Sequence, residues 1–390
     1  MYKNNKILNF CFVSGKLKIN GVYNRKYLPP HLIKDLTSNR LSVWLNQRLI
    51  SSSREDIPGK LGNLSIKSRF ALSLKSNAAS LSDPYWIREA SQNLDWNKIN
   101  FFDNPYSYNV GNVLFGIDQS INDNFDYRSP DSTTNGVHKK TWRRVDGVDK
   151  LYKMGRAPDY QEAINEVFSS RVAENFQGLD FVDYKLANIN NKICSVCENF
   201  VTKEEEFIPA FSIYQTVKKP VTVSIYNHLI NTCKDWGIYG VEEFINRMLV
   251  FDYLIGNTDR HMGNFGFMRN TRSLRFTRVA PLFDNGTSLL AEHLTQGIKD
   301  IETMDVYANK DQIARIPNLG FIKLLEVQKL DDYLYDLCNE VQLGIGKRDK
   351  ICHNFQNKVT DLFKIQEERS KEKSKILVNK KKINKDREDI

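Results

Sequence analysis

Apolar positions along the chain alternate between a spacing of two and a spacing near 3.6, and the changes of period mark out the elements. Ile7-Leu8-Asn9-Phe10-Cys11-Phe12-Val13 and Lys16-Leu17-Lys18-Ile19 predict a first hairpin. The apolar run is short and broken by Asn9, with no small-residue cleavage site after it, which argues against an export leader. Thr141-Trp142-Arg143-Arg144-Val145 and Val148-Asp149-Lys150-Leu151-Tyr152-Lys153 flank Asp146-Gly147, a two-residue turn of the kind that joins antiparallel strands. That turn sets a register of Val145 opposite Val148, Arg144 opposite Asp149, Trp142 opposite Leu151 and Lys140 opposite Lys153. Lys140, Trp142, Arg144, Asp149, Leu151 and Lys153 then share one face, so Lys153 sits beside an apolar platform.

The period then changes to helical. Asp159 is the expected N-cap with Glu162 three residues on, as in a capping box, and Ile164, Val167, Phe168, Val172 and Phe176 face the core. Glu162 is expected to cap its own helix, leaving Glu166 either to pair with Lys153 or to stay a solvated surface carboxylate. Phe181 to Leu186 and Lys192 to Cys197 predict two further strands around the turn-rich Asn188-Ile189-Asn190-Asn191. Val241 to Ile255 reads as a largely buried helix ended by Gly256. Phe265 to Met268 and Leu274 to Val279 predict another hairpin, which would fold Asp284 back toward Asn264.

Composition narrows the class. At 390 residues, 41% hydrophobic and 11% aromatic, the chain should form two or three folded units. It has no apolar run of the roughly 20 residues a membrane span needs. Six cysteines, Cys11, Cys194, Cys197, Cys233, Cys338 and Cys352, are too sparse for a disulfide framework and point to a reducing, cytoplasmic setting. Cys194 and Cys197 form a C-x-x-C without a second pair, and on a strand they would point to opposite faces, so packing is expected rather than zinc or redox chemistry. The net charge of +9 is uneven: residues 364–390 hold ten Lys/Arg against six Asp/Glu. A solvated basic tail is expected, with binding to nucleic acid or an acidic partner as the alternative.

The candidate chemistry lies between residues 132 and 286. Asp259 precedes Asn264 by five residues, and Asp284 follows on a short turn. This is the arrangement of a base that orients a hydroxyl, followed by two magnesium ligands, as in phosphoryl transfer. Arg260 is expected to pair with a carboxylate or phosphate. His261 belongs to the same catalytic loop, holding it in place, with a general-base role as the alternative. Ser132 to Lys139 is a polar loop whose Gly136 permits a phosphate-cradling turn. Glu198-Asn199-Phe200 would be the hinge beside a base. A metal hydrolase using Asp252, Asp259, His261 and Asp284 is a rival reading, as are a kinase of a lipid or small molecule and a non-catalytic DNA- or partner-binding protein.

Asn257-Thr258-Asp259-Arg260-His261 with Asn264, Pro281-Leu282-Phe283-Asp284, Leu151-Tyr152-Lys153, Asn165-Glu166 and the Thr133 to Lys139 loop together resemble the HipA family of bacterial serine/threonine kinases, in its CtkA-like branch. The resemblance spans about residues 125–345. It implies an α+β, two-lobed protein-kinase-like fold with a β-rich N-lobe, a mainly helical C-lobe and an additional N-terminal accessory domain. The expected divisions are 1–120 for the accessory domain, 121–202 for the N-lobe, 203–350 for the C-lobe and 351–390 for the charged tail. The resemblance further implies ATP and magnesium as cofactors and a protein substrate with a Ser/Thr acceptor. Some members are toxins restrained by a DNA-binding antitoxin. Asn135, Gly136, Val137, Lys139, Lys153, Glu198, Asn199 and Phe200 are the implied ATP contacts, Asn264 and Asp284 the metal ligands, and Asp259, Lys153, Glu166 and His261 the catalytic set. The family's autophosphorylated serine, three residues before the loop glycine, corresponds to Thr133, with Ser132 and Thr134 beside it. After Gly-Val, where the family commonly has Gln, this chain has His138.

Overall fold

The computed structural model describes residues 1–118, 124–291 and 310–388, with side chains of the last helix described as far as Lys371. Among the described residues nine strands form three antiparallel sheets: β1 (Leu8–Val13) with β2 (Lys16–Val22); β3 (Lys140–Val145), β4 (Val148–Met154), β5 (Lys185–Ile189) and β6 (Lys192–Glu198) in the order β3-β4-β6-β5; and β7 (Glu205–Pro209), β8 (Gly266–Asn270) and β9 (Phe276–Val279).

The β3-β4 register is the one read from the Asp-Gly turn, with Lys140 opposite Lys153 and Trp142 opposite Leu151. Asp146 at φ 52° and Gly147 at φ 80° supply the two left-handed residues that a tight hairpin turn needs. The β5-β6 turn is shorter than expected. Asn190 and Asn191 alone occupy the left-handed region, while Asn188 and Ile189 belong to β5. Phe181 lies outside that strand, bridging instead to Leu282.

The Gln161–Ala173 helix packs on this sheet with its apolar residues in the core, but it does not start as expected. Tyr160 precedes it in a left-handed conformation and no side chain caps it. Asp159 pairs with Lys347 at 2.7 Å, and Glu162 accepts the backbone N–H of Arg156 at 2.8 Å as well as its guanidinium. The loop before the helix folds back on itself through the Tyr160 N–H to Arg156 O bond, which brings the Arg156 amide within reach of Glu162 in addition to that residue's own first-turn N–H.

In the larger lobe, the Val241–Ile255 helix buries eleven residues and ends at Gly256 with φ 60°. The last helix runs unbroken from Ile345 to Glu388, and Ile351, Phe355, Val359, Leu362 and Ile365 are buried in the main core. The boundary drawn at 350/351 therefore falls inside an element whose first turns are core, because an apolar face continues at helical spacing into the charged sequence. All six cysteines are free; Cys194 and Cys197 pack into different clusters.

The N-terminal segment has clusters of its own but is also joined to both lobes. Phe115, on the Asn109–Phe115 helix, packs against Met154 and Cys194 of the small-lobe sheet. Tyr2 donates its hydroxyl to Glu206 on β7 at 2.5 Å, and Arg269 on β8 donates to the same carboxylate at 2.9 Å and to the Tyr85 hydroxyl at 3.3 Å. Both charges are almost wholly buried, at 1% and 0% exposure, and burial pushes the Glu206 carboxyl up with Arg269 opposing. Removing one partner strands the other, so Glu206→Ala is expected to destabilise the fold by about 3–5 kcal/mol in a urea melt. A loss below about 1 kcal/mol would show that this junction holds nothing together.

Candidate active site

The site starts from a lysine that the β4 strand presents to its neighbours. Lys153 is 7% exposed and its ammonium donates to Glu166, from the Gln161–Ala173 helix, and to Asp284 Oδ1 at 2.6 Å. Its Nζ also lies 5.6 Å from the centre of the Tyr184 ring. Burial alone would push the ammonium down; Asp284 and then Glu166 outweigh it and hold Lys153 above its ordinary range. For Asp284, burial acts upward but Lys153 and Lys140 win, keeping the carboxyl well below the usual range.

Glu166 does more than balance charge. Its second oxygen accepts the Asn285 N–H at 2.9 Å, and Asn165, one residue earlier, donates to the carbonyls of Gly286 and Ser288 at 2.8 and 2.7 Å. One turn of helix therefore fixes the whole Asp284-Asn285-Gly286 turn. Asp284 adopts φ 60° there, a left-handed conformation that Asp tolerates better than most residues.

The candidate catalytic loop, residues 257–264, is tied to the same turn by Arg260, which is fully buried. Its Nε and Nη2 donate to Asp252 at 3.0 Å, its Nη1 to the carbonyls of Asn264 at 3.0 Å and Phe283 at 2.5 Å, and Nη2 also to Asn285. Asp252 additionally accepts from Asn257 at 3.1 Å. This carboxylate is thus committed to shaping the loop, which removes it from the metal-hydrolase set considered above. Asp259 stands exposed at the loop's edge, its N–H on Asn257 Oδ1 at 2.9 Å. His261 Nδ1 accepts the Gly263 N–H at 3.0 Å, a bond that closes the loop locally. Asn264 donates Nδ2 to Asp259 O at 2.8 Å, which leaves its Oδ1 as a ligand atom.

The phosphate-loop candidates are placed unevenly. Gly136 has φ 106°, where an L side chain is strained, and a Cβ there would come within 2.2 Å of the Lys140 Nζ and push that ammonium aside. Asn135 Oδ1 accepts the Gly136 N–H at 2.7 Å, and Val137 is exposed. Lys139 is engaged by Glu55 at 2.6 Å. Lys140, which sequence reasoning left out of the site, is the buried lysine beside Gly136. Burial lowers it to about 8, with Asp284 opposing. The signal was present in its position opposite Lys153 on one face of the hairpin. Burial likewise lowers His138, to about 4, with Lys153 adding to the effect.

Ser132, Thr133 and Thr134 donate their hydroxyls to backbone carbonyls of Ser129, Ala79 and Pro130 at 2.9, 2.7 and 2.9 Å. Ser132 and Thr133 are buried. In the hinge, Glu198 is exposed, the Asn199 N–H donates to Asp149 O at 2.8 Å, and Phe200 packs against Phe283 with ring centres 5.4 Å apart.

Among the described residues no three His, Cys, Asp or Glu gather as a metal cluster. Arg260 instead gathers the backbone carbonyls of Asn264 and Phe283, so that one amide side chain, Asn264, and one carboxylate, Asp284, stand on segments held by the same guanidinium. Such a sparse all-oxygen set fits magnesium, which takes one or two protein ligands and completes its shell with phosphate and water.

Comparison with known proteins agrees with this architecture. The chain is 30% identical over 169 residues to serine/threonine-protein kinase CtkA of Helicobacter pylori, a match over 40% of this chain that spans about half (49%) of the relative. The crystal structure of that bacterium's proinflammatory kinase CtkA aligns over 60% of this chain and 95% of its own, at 16% identity and a TM-score of 0.44. HipA of Shewanella oneidensis MR-1, solved with HipB and operator DNA as a toxin–antitoxin system, aligns over 95% of this chain and 98% of its own, at 13% identity and a TM-score of 0.52, and so shares the two-lobed fold with its N-terminal addition. The family model of the HipA-like C-terminal domain matches residues 132–360, more than half of the chain, so this protein belongs to the HipA-like family.

Proposed function

We propose that the chain is an ATP- and magnesium-dependent kinase that phosphorylates serine or threonine hydroxyls of a protein, its own loop included. The observation that carries this reading is the buried Lys153, held at once by Glu166 and Asp284. A lysine ion-paired to a helix glutamate, next to a carboxylate on a turn, is the constellation that orients nucleotide phosphates in kinases. The curated relative, a serine/threonine kinase, supports the choice of acceptor.

In this reading Lys153 and Lys140 bind phosphate oxygens from two adjacent strands. Asn264 and Asp284 would hold magnesium, which neutralises charge on the bridging phosphates when bound. Asp259, exposed at the loop edge, orients the acceptor hydroxyl and takes its proton. Arg260 and His261 keep that loop in shape. The acceptors Ser132, Thr133 and Thr134 are bonded to carbonyls in the folded loop, so their phosphorylation requires the segment to leave its seat.

Incubation with labelled ATP and magnesium should label a protein acceptor, and Asp259→Ala should lower the rate by about 10²–10⁴-fold. Peptide mass spectrometry should find phosphate between residues 129 and 134 of the wild type and none in Asp259→Ala. An Asp259→Ala chain as active as wild type would remove the assignment.

A second test uses the buried lysine. Lys140 is charged below about pH 8 and loses its proton above it, whereas Lys153, raised, stays charged. Nucleotide affinity should therefore fall as pH rises from 7 to 9, and Lys140→Arg should flatten that slope. Stability moves the other way: the unfolded chain binds the Lys140 proton up to its ordinary 10.5, so the cost of burying the charge is relieved between about 8 and 10.5. A melting temperature that falls in step with affinity would attribute the loss to unfolding rather than to Lys140.

A further inference from the structure

The accessory segment holds the 132–139 loop through Arg54, whose Nη2 donates to Thr134 O at 2.8 Å and whose Nε donates to Gly136 O at 3.2 Å, and through Ala79 O, which accepts the Thr133 hydroxyl at 2.7 Å. From Ala78 outward the same segment is not close-packed. A cavity of about 420 Å³ lies between two of its small cores, one containing Leu28, Leu41, Leu45 and Tyr85, the other Trp86. Protein interiors leave few voids larger than a water molecule. A space of about 300–1,000 Å³ lined by apolar and aromatic side chains is the form that small-molecule sites take. None of the residues lining this one belongs to the candidate active site.

The walls come from separate elements. β1 contributes Phe10 and Phe12, the Ser38–Gln47 helix Trp44, and the Arg69–Lys75 helix Phe70 and Leu74. Phe12, half exposed, meets Phe70 edge-to-face with ring centres 5.4 Å apart, and Leu74 is 41% exposed, so these side chains form the rim. Deeper in, Asn77 and Ala78 have φ 55° and 49°, a left-handed conformation that alanine adopts only at a cost. That corner is held by Arg48, whose Nη2 donates to Ala78 O and Tyr85 O, each at 3.2 Å.

The polar groups of the lining divide between interior and rim. Arg48 is also paired with Asp83 and lies 5.0 Å from the centre of the Trp44 ring, and Asn77 Nδ2 donates to Ile87 O at 3.1 Å. A polar body would find these groups already engaged, so an occupant of the interior must be apolar. The exposed Lys6 and the half-buried Arg88 differ. Among the described residues neither pairs with a carboxylate: Lys6 Nζ lies 3.9 Å from the centre of the Tyr23 ring, and Arg88 Nη1 donates to Gln92 O. Glu89 is the one acid among the lining residues, so these two cations leave the edge of an apolar space net positive.

We infer that this cavity binds an apolar carboxylate of about a dozen non-hydrogen atoms, its acyl chain inside and its carboxylate against Lys6 and Arg88. Burial of the chain supplies affinity, and the two cations decide which end stays at the rim.

The full chain titrated by calorimetry with decanoate, decanol and acetate tests this. Decanoate should bind at least about tenfold more tightly than decanol, the scale of a charged hydrogen bond, and acetate should not bind. Changing Lys6→Gln and Arg88→Gln together should remove that preference and leave decanol unchanged. Leu74→Trp sets an indole across the opening and should abolish binding of both, with the circular dichroism of the wild type retained. Saturating ω-bromodecanoate should quench tryptophan emission of the wild type, since Trp44 and Trp86 line the cavity. Wild-type chain that binds no decanoate up to about 1 mM would overturn the inference. Decanol bound as tightly as decanoate, or a double variant that keeps the preference, would overturn the role of the two cations and with it the carboxylate. A folded Leu74→Trp chain that binds as the wild type does, or emission unchanged by the brominated probe at saturation, would place the ligand elsewhere and sink the cavity as its site.

Discussion

The geometry of the site depends on burying the Arg260 guanidinium against Asp252. Each charge alone would cost several kcal/mol to bury, so the pair is tolerated only when its hydrogen bonds are made together. Those bonds end on three separate segments: the Val241–Ile255 helix through Asp252, the 257–264 loop through Asn264 O, and the downstream turn through Phe283 O and Asn285. A planar five-donor fork can serve three segments at fixed angles, where a lysine would offer one freely rotating point charge. Burial pushes Asp252 up and Arg260 offsets this only in part, so the arrangement spends stability on shape. What it secures is the approach of Asn264 to the turn that carries Asp284, with nineteen residues of chain between the two.

The second tie runs from the small lobe. Lys153 reaches Glu166 within its own lobe and Asp284 in the other, and Glu166 returns to the Asn285 N–H. The helix, the strand and the turn are consequently positioned by one charge cluster, and a displacement of the helix would break bonds on both lobes at once. The net effect on the two pKa values has the sense expected of such a cluster, with the lysine raised and the carboxylate lowered despite burial. The low-dielectric surroundings strengthen each attraction and also make an uncompensated member expensive.

How much of this could be read from the chain follows from the range of the interactions. The β3-β4 register was legible because an Asp-Gly turn determines pairing locally, and the spacing of Asp259 and Asn264 because a loop on a rigid helix is a local object. Glu166 could be singled out since helical periodicity put it one turn beyond Glu162. The capping expectation failed at Asp159 and Glu162 because non-local partners, Lys347 and the folded-back Arg156 amide, compete for the same carboxylates. Strand β7 was missed because Glu205 to Pro209 alternates weakly and contains a proline; its pairing with β8 across more than fifty residues supplies what local propensity lacks. The core portion of the last helix was hidden by the charges around it, although Ile351, Phe355, Val359 and Leu362 keep helical spacing. Lys140 was visible as the residue opposite Lys153 but indistinguishable from a solvated strand lysine until its burial was known.

Arg54 belongs to a different category, since nothing in its local sequence sets it apart from the other arginines. Its meaning arises from contacts across roughly eighty residues, to the carbonyls of Thr134 and Gly136, and Tyr2 reaches Glu206 across roughly two hundred. The two contacts lie at different parts of the kinase-like lobes: one at the 132–139 loop, the other at the β7-β8 pair. Each uses a buried charge, and buried charges resist gradual rearrangement because intermediate positions leave them unpaired. A segment fastened in this way at two separated points cannot move away from one without straining the other. The accessory segment therefore bears on the loop that would hold phosphate as directly as the lysine strand does, and the loop's conformation cannot be assigned to the small lobe alone.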